Sequence, residues 1–277
     1  MASDGQPNFF RPAEMINCRS VASKRFEQLS FSGILGAILH LEIKNGSPAD
    51  SYATRTLDVA YLRLETKPAL KATDARPLRG FFGRRYSNRT EFHHHGSKGL
   101  IYEHPLIQYK VIEGDAVIAG MGDGAYLVAA INPPNDLSIY KLSVSVTGAN
   151  LTRKTAKIGL CKEKKEYRFL TPWLSLNSHN KESYDRLVAK GVSTTSLFDR
   201  ILIGNLLSLS KAVRYDASEQ ILVETNLIPD KPVTIKQGVE LLGFTGTFTT
   251  NFDIPKYWGI GKSSARGFGV VVPEDAK

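Results

Sequence analysis

Three consecutive imidazoles, His93, His94 and His95 in "FHHHG", are the side chains here best suited to moving protons. Imidazole changes charge near neutral pH, so it can take or give a proton in a transition state. On an extended segment His93 and His95 point to the same side and could instead share a metal. The neighbouring sequence, however, offers no cysteine and few spaced carboxylates to finish such a shell. A solvated loop is the third reading. The other stretch with chemistry in it is "GIGKSSARGFG", residues 259–269. Glycines admit positive φ and let backbone N–H groups approach a phosphate closely; Lys262 and Arg266 add charge. A Walker-type loop would need glycine where the chain has Lys256, and a strand-then-helix context. The spacing of Gly259, Gly261 and Gly267 does not fit a dinucleotide fingerprint. What remains is Gly-apolar-Gly, five residues, Gly-apolar-Gly. It reads either as a phosphate grip or as a glycine-rich hairpin without a ligand.

Elements must bring these two stretches together. "TLDVAYLRLETK" alternates Leu57, Val59 and Tyr61 with polar neighbours, the period of a strand. "DARPLRGFFGRRY" spaces Leu78, Phe81, Phe82 and Tyr86 as a helix, with Pro77 in its first turn. "PLIQYKVI" and "AVIAG" read as strands around the turn "EGD", "GAYLVAAI" as a short helix, and "IYKLSVSV" as a strand with Tyr140, Leu142, Val144 and Val146 on one face. That order, β-α-β-β-α-β, is the ferredoxin-like unit. A second unit follows. "YRFLTPWLSLN" reads as a strand bent at Pro172. "SLFDRILIGNLLSLSKAV" places Leu197, Ile201, Leu202, Asn205 and Leu209 at helical steps, with Ser196 and Asp199 as a capping pair. "QILVETNLI", "PVTIK" and "VELLGFTGTFTTNF" read as strands. The last helix shrinks to a loop around Pro255, and "GFGVVV" supplies the final strand. The expected fold class is α+β: tandem ferredoxin-like (RRM-like) units, each with an antiparallel sheet, around a central cleft. The expected divisions are 1–52, an extension of unassigned role; 53–150, the first unit; 151–164, a basic linker in "TRKTAKIGLCKEKKEYR"; and 165–277, the second unit.

The chain has 277 residues, 42% apolar and 23% charged, enough for one large or two ordinary domains. Its net charge of +9 favours polyanionic partners, nucleic acid or acidic membrane. No apolar run approaches bilayer length, and the N-terminus lacks the basic-then-apolar layout of a secretory signal. Cys18 and Cys161 form neither a zinc motif nor a disulfide pattern. These features lead to the expectation of a cytoplasmic protein that does not bind membrane.

The glycine pattern on a tandem ferredoxin-like chain resembles the RAMP superfamily of CRISPR-associated RNA-binding proteins. More narrowly, it is similar to the endoribonucleases that cut CRISPR transcripts into guide RNAs. "PLRGFFG", "YEHPLIQYKVI", "TPWLSLN", "ILIGNLLS" and "GFTGTFTTNFDIPKYWGIGKSSARGFG" carry the likeness from about Leu57 to Val272. The resemblance implies that His95 leads catalysis and His93 assists, with His94 standing where asparagine is common. It also implies roles for Tyr102 and for Arg85, which occupies a position usually held by lysine; the adjacent Arg84 is the alternative. Apart from the resemblance, Tyr102 reads as a half-buried strand tyrosine, and the two arginines as charge at a helix C-terminus. By the same resemblance Gly259, Gly261, Lys262, Arg266, Gly267 and Gly269 hold RNA. The implied reaction is attack by the RNA's own 2′-hydroxyl, with no cofactor and no metal. The implied partners are CRISPR repeat RNA, subunits of an effector complex and a second copy of the chain. Competing readings are a non-catalytic RAMP subunit and a metal-dependent phosphodiesterase built on the three histidines.

Overall fold

The computed structural model describes residues 54–93, 95, 96, 99, 100, 103–140, 142–236 and 239–274, with the backbone alone for 95, 96, 99, 100 and 236. The expectations for residues 1–52, for His94 and Tyr102, and for the side chain of His95 lie outside the described part.

β1 (Arg55–Lys67) starts the first half, followed by α1 (Ala75–Arg85), the short pair β2 (His95–Gly96) and β3 (Gly99–Leu100), β4 (Ile107–Ile112), β5 (Asp115–Met121), α2 (Asp123–Ala129), β6 (Asp136–Ile139) and β7 (Leu142–Phe169). The second half adds α3 (Ser178–Ala189), α4 (Thr195–Ala212), β8 (Val223–Pro229), β9 (Val233–Lys236), β10 (Val239–Leu241), β11 (Phe244–Asp253) and β12 (Val271–Pro273). The main sheet runs β4-β5-β1-β7-β11-β8, with β6 and β12 also on β7. Every pairing in it is antiparallel. Strands β4-β5-β1-β7 have the ferredoxin-like order, and β8-β11-β7-β12 repeats it. In the repeat, residues 254–270 stand where the second helix would be.

The faces of β1 explain the layering. Side chains alternate across a strand, so Ala60, Leu62 and Leu64 turn to one side and meet Leu78 and Phe82 of α1 and Ala125 and Val128 of α2 in one core. Val59 turns the other way. With Ala119 and Met121 it joins the larger core of the second half, which includes Ile254, Trp258 and Ile260. The sheet of the first half is thus covered on its second face by the 254–270 segment.

Four expectations are corrected. Residues 151–164 are not a linker; they lie inside β7, paired with β1 up to Ile158 and with β11 at Gly159 and Leu160, where the register shifts before pairing resumes at Lys165. A charge run can be a strand when most of its side chains stand in water, as they do along 151–157 and 162–166. "IYKLSVSV" is not one strand but a hairpin: Ile139 pairs with Leu142, Tyr140 has φ 55°, and Leu142 is exposed. Beyond Phe169 the stretch "LTPWLSLN" makes a single bridge, Trp173 to Phe244, and not a strand. Asp199 does not cap α4, whose N-cap position is Thr194; its carboxylate accepts from Thr225 N at 2.8 Å and Thr225 Oγ1 at 2.7 Å. Helix α3, with no buried residue and few apolar ones, gave no periodic signal.

Candidate active site

Helix α1 buries Ala75, Leu78 and Phe82. At about 100° per residue, Arg76, Arg79, Gly80 and Gly83 then share a neighbouring face, with Arg84 at its edge. Two glycines on that face leave it bare, and a groove of about 400 Å³ opens there, lined by Arg76, Arg79, Gly80, Gly83, Arg84, His93 and Arg266. Arg85 is nine residues from Arg76, half a turn out of phase, and does not line the groove. Of the adjacent pair, the fold puts Arg84 there.

The histidine segment is held against α1, its C-cap residue and β4 by three interactions. Phe92 is 2% exposed and stacks on Tyr86 at 4.6 Å between ring centroids. Tyr109 Oη donates to Phe92 O at 3.1 Å. Arg79 Nη2 donates to His93 O at 2.5 Å. A methyl group at Gly83 would sit 3.1 Å from His93 Cβ, so glycine there lets the segment approach closely. His93 Nε2 lies 3.2 Å from Ser87 O. A carbonyl only accepts, so in this contact Nε2 is the donor. Two residues on, the backbone of His95 pairs with Leu100.

Arg266 reaches the groove from the other end of the sequence, on the 3-10 turn Ser264–Arg266. Burial, then the charges of Arg79 and Arg76, pull its guanidinium below the usual value. Burial lowers Arg79 likewise. Among the described residues no salt bridge engages Arg76, Arg79, Arg84 or Arg266. Crowded guanidinium groups without carboxylates are an anion receptor, because an arriving phosphate relieves the repulsion and accepts bidentate hydrogen bonds.

Three of the four glycine amides in the loop bond within the protein. Gly259 N donates to Gln108 Oε1 at 2.8 Å, Gly269 N to Pro172 O at 3.0 Å and Gly267 N to Ser264 O at 3.3 Å. Those N–H groups are spent inside the protein and cannot also hold a phosphate. Gly261 and Gly267 are needed for conformation and closeness. Their φ values are 82° and 87°, and an added Cβ would lie 2.5 Å from Trp173 Nε1 and 2.8 Å from Ala75 Cβ. The exposed Lys262 lies outside the groove lining. Arg266 is the loop's contribution to the groove.

The sequence reading missed Arg76 and Arg79. The signal was present: two arginines three apart, followed by glycines on the same helical face, as "RPLRGFFG" shows once turned into a helix.

Fold and groove together define a two-unit ferredoxin-like protein with an arginine-lined groove where α1 meets the C-terminal loop. Models of the Cas6b N-terminal and C-terminal domains match residues 55–157 and 159–273. The chain belongs to the Cas6b family, a narrower placement than the CRISPR-associated RAMP resemblance of its motifs. A crystal structure of Cas6b is 33% identical with TM-score 0.70, covering 78% of this chain and 99% of that one. Another, of the CRISPR RNA processing endoribonuclease Cas6b, is 30% identical with TM-score 0.58 and the same coverage. Uncharacterized protein MJ0978 of Methanocaldococcus jannaschii is 35% identical over 120 residues, 43% of this chain and 79% of that protein. The two domain models meet at residue 158, in the middle of β7. No helix among the described residues is long and apolar enough to cross a membrane.

Proposed function

We propose that this protein is an endoribonuclease that binds CRISPR repeat RNA and cleaves the precursor transcript into guide RNAs. The observation that carries the reading is the groove itself: His93 and Arg266, 173 positions apart in the chain, line one cavity with three arginines of α1. RNA carries its own nucleophile, so the protein has to align and move protons. The 2′-oxygen attacks the adjacent phosphorus as its proton passes to a base. The P–O5′ bond breaks, and an acid protonates the leaving 5′-oxygen. The products are a 2′,3′-cyclic phosphate and a 5′-hydroxyl, and no metal ion is needed. His95 is assigned the leading proton transfer, with His93 and Tyr102 assisting. Arg76, Arg79, Arg84 and Arg266 counter the charge that grows on the phosphate oxygens. Arg84, which lines the groove, takes the part first assigned to Arg85.

Cleavage of repeat RNA in EDTA tests this directly. A 2′-deoxy substitution at one position should abolish cutting there. His95→Ala should slow cleavage by about 10²–10⁴-fold with RNA affinity retained. Cleavage of the deoxy substrate, or loss of wild-type cleavage in chelator, would sink the mechanism.

A further inference from the structure

One motif, "YEHPLIQYKVI", leaves three polar side chains unused by the chemistry above. His104, Gln108 and Lys110 are 7%, 0% and 1% exposed. On β4, Ile107 and Tyr109 belong to the helix-side core, so Gln108 and Lys110 turn to the opposite face, beneath the loop of the second half. There Gln108 holds Gly259 by both backbone groups. Its Oε1 accepts from Gly259 N at 2.8 Å, and its Nε2 donates to Gly259 O at 2.9 Å. Lys110 Nζ donates to the same Oε1 at 2.7 Å and lies 5.4 Å from the centre of the Trp258 ring. Trp258 Nε1 donates to His104 Nε2 at 2.9 Å, and Gln108 Nε2 lies 3.3 Å from the same atom. Both neighbours are donors, so His104 Nε2 accepts and the ring carries its proton on Nδ1.

Burying an amine and a carboxamide costs more than burying two apolar side chains of similar volume. Packing alone therefore does not account for them. What they hold does. Gly259 is the neck of the glycine loop, bridged to Val270, and Ile260 N donates across the neck to Gly269 O at 2.9 Å. Seven residues on from Gly259, Arg266 enters the arginine groove. The next residue, Gly267, lies on β4 and α1, its position for a Cβ being 3.3 Å from Tyr109 O and 2.8 Å from Ala75 Cβ.

We propose that Gln108, braced by Lys110 and His104, is a positioning residue for RNA cleavage: it fixes the neck of the glycine loop on β4, so that Arg266 arrives beside Arg76, Arg79 and His93. This rests on the endoribonuclease reading. The network itself touches no RNA and acts through Arg266.

The test compares wild type with Gln108→Leu, Gln108→Glu and Lys110→Met. The readouts are single-turnover cleavage of repeat RNA, its Kd, and hydrogen exchange along 259–269. Misplacement by about an ångström costs rate more than affinity, so Gln108→Leu should cleave about 10–100-fold more slowly with Kd within about threefold of wild type. Gln108→Glu keeps the acceptor for Gly259 N–H but replaces the donor to Gly259 O with a carboxylate oxygen facing two acceptors, Gly259 O and His104 Nε2, so it should cleave as slowly as Gln108→Leu. Lys110→Met, a fold-preserving change, should slow cleavage without lowering the melting temperature. Wild-type cleavage by Gln108→Leu, or by folded Lys110→Met if Gln108→Leu does not fold, overturns the proposal. If wild type itself cuts no repeat RNA, the endoribonuclease reading has failed. Exchange still reads the network: faster exchange at 259–269 than in β1 supports it, and unchanged exchange there overturns it.

Discussion

At the residue scale, the groove separates two adjacent arginines that sequence alone treats alike. Arg84 lines it and Arg85 does not. For a single-stranded partner, each phosphate that a side chain stops neutralising lowers the salt-dependence slope by about 0.7. Arg76→Gln and Arg266→Gln should therefore each weaken binding of repeat RNA and flatten its salt dependence by that amount. Arg85→Gln should leave both unchanged. Titrations at several salt concentrations check this; a larger loss for Arg85→Gln than for Arg76→Gln would show that the wrong face of α1 has been assigned. Arg79 is a special case, since its guanidinium also holds the His93 carbonyl. Replacing it should impair cleavage beyond the loss of affinity. The histidines were legible as chemistry from their type. Their partners were not, because a helix face becomes a site only when something packs opposite it.

At the element scale, α1 trades stability for an open groove. Gly80 sits in mid-helix, and a Cβ there would meet Arg84 Nη1 at 3.5 Å, an ordinary van der Waals separation. Gly80→Ala should stabilise the protein by about 0.5–1 kcal/mol through helix propensity while narrowing the groove. A raised melting temperature together with weaker RNA binding is the expected pair of results. Unchanged binding would mean that RNA does not use this face. Strand β7 carries the other lesson of this scale. Its alternating charges resembled a solvated connector, yet its backbone is spent on β1 along one stretch and β11 along the next. Period-two burial is the signal by which a strand is read. It fades where side chains on both faces reach water, as they do along 151–157, and with it fades the means of telling strand from linker.

At the scale of the whole molecule, the two halves are joined by a shared strand, a core that crosses between them, and the buried network around Lys110. Burial pushes the Lys110 amine down to about 7 from its ordinary 10.5. Between those values the unfolded chain holds a proton that the folded one has released, so this group makes stability rise with pH from about 7 towards 10.5 and contributes no slope below. Lys110→Met removes that slope. Urea unfolding of both proteins across this range should show wild type gaining relative to the variant as pH rises; parallel curves would place a charged or solvated lysine at the site. By itself the sequence pointed to the CRISPR-associated RAMP proteins, to the ferredoxin-like element order and to two stretches whose residue types could do chemistry, because motifs and hydrophobic periods are local. Only the tertiary structure decided which arginines share a groove, that the amides of Gly259, Gly267 and Gly269 bond within the protein, and that Gln108 grips Gly259 across 151 positions. Those facts depend on strand register and on which faces meet, and both are set by packing between segments far apart in the chain.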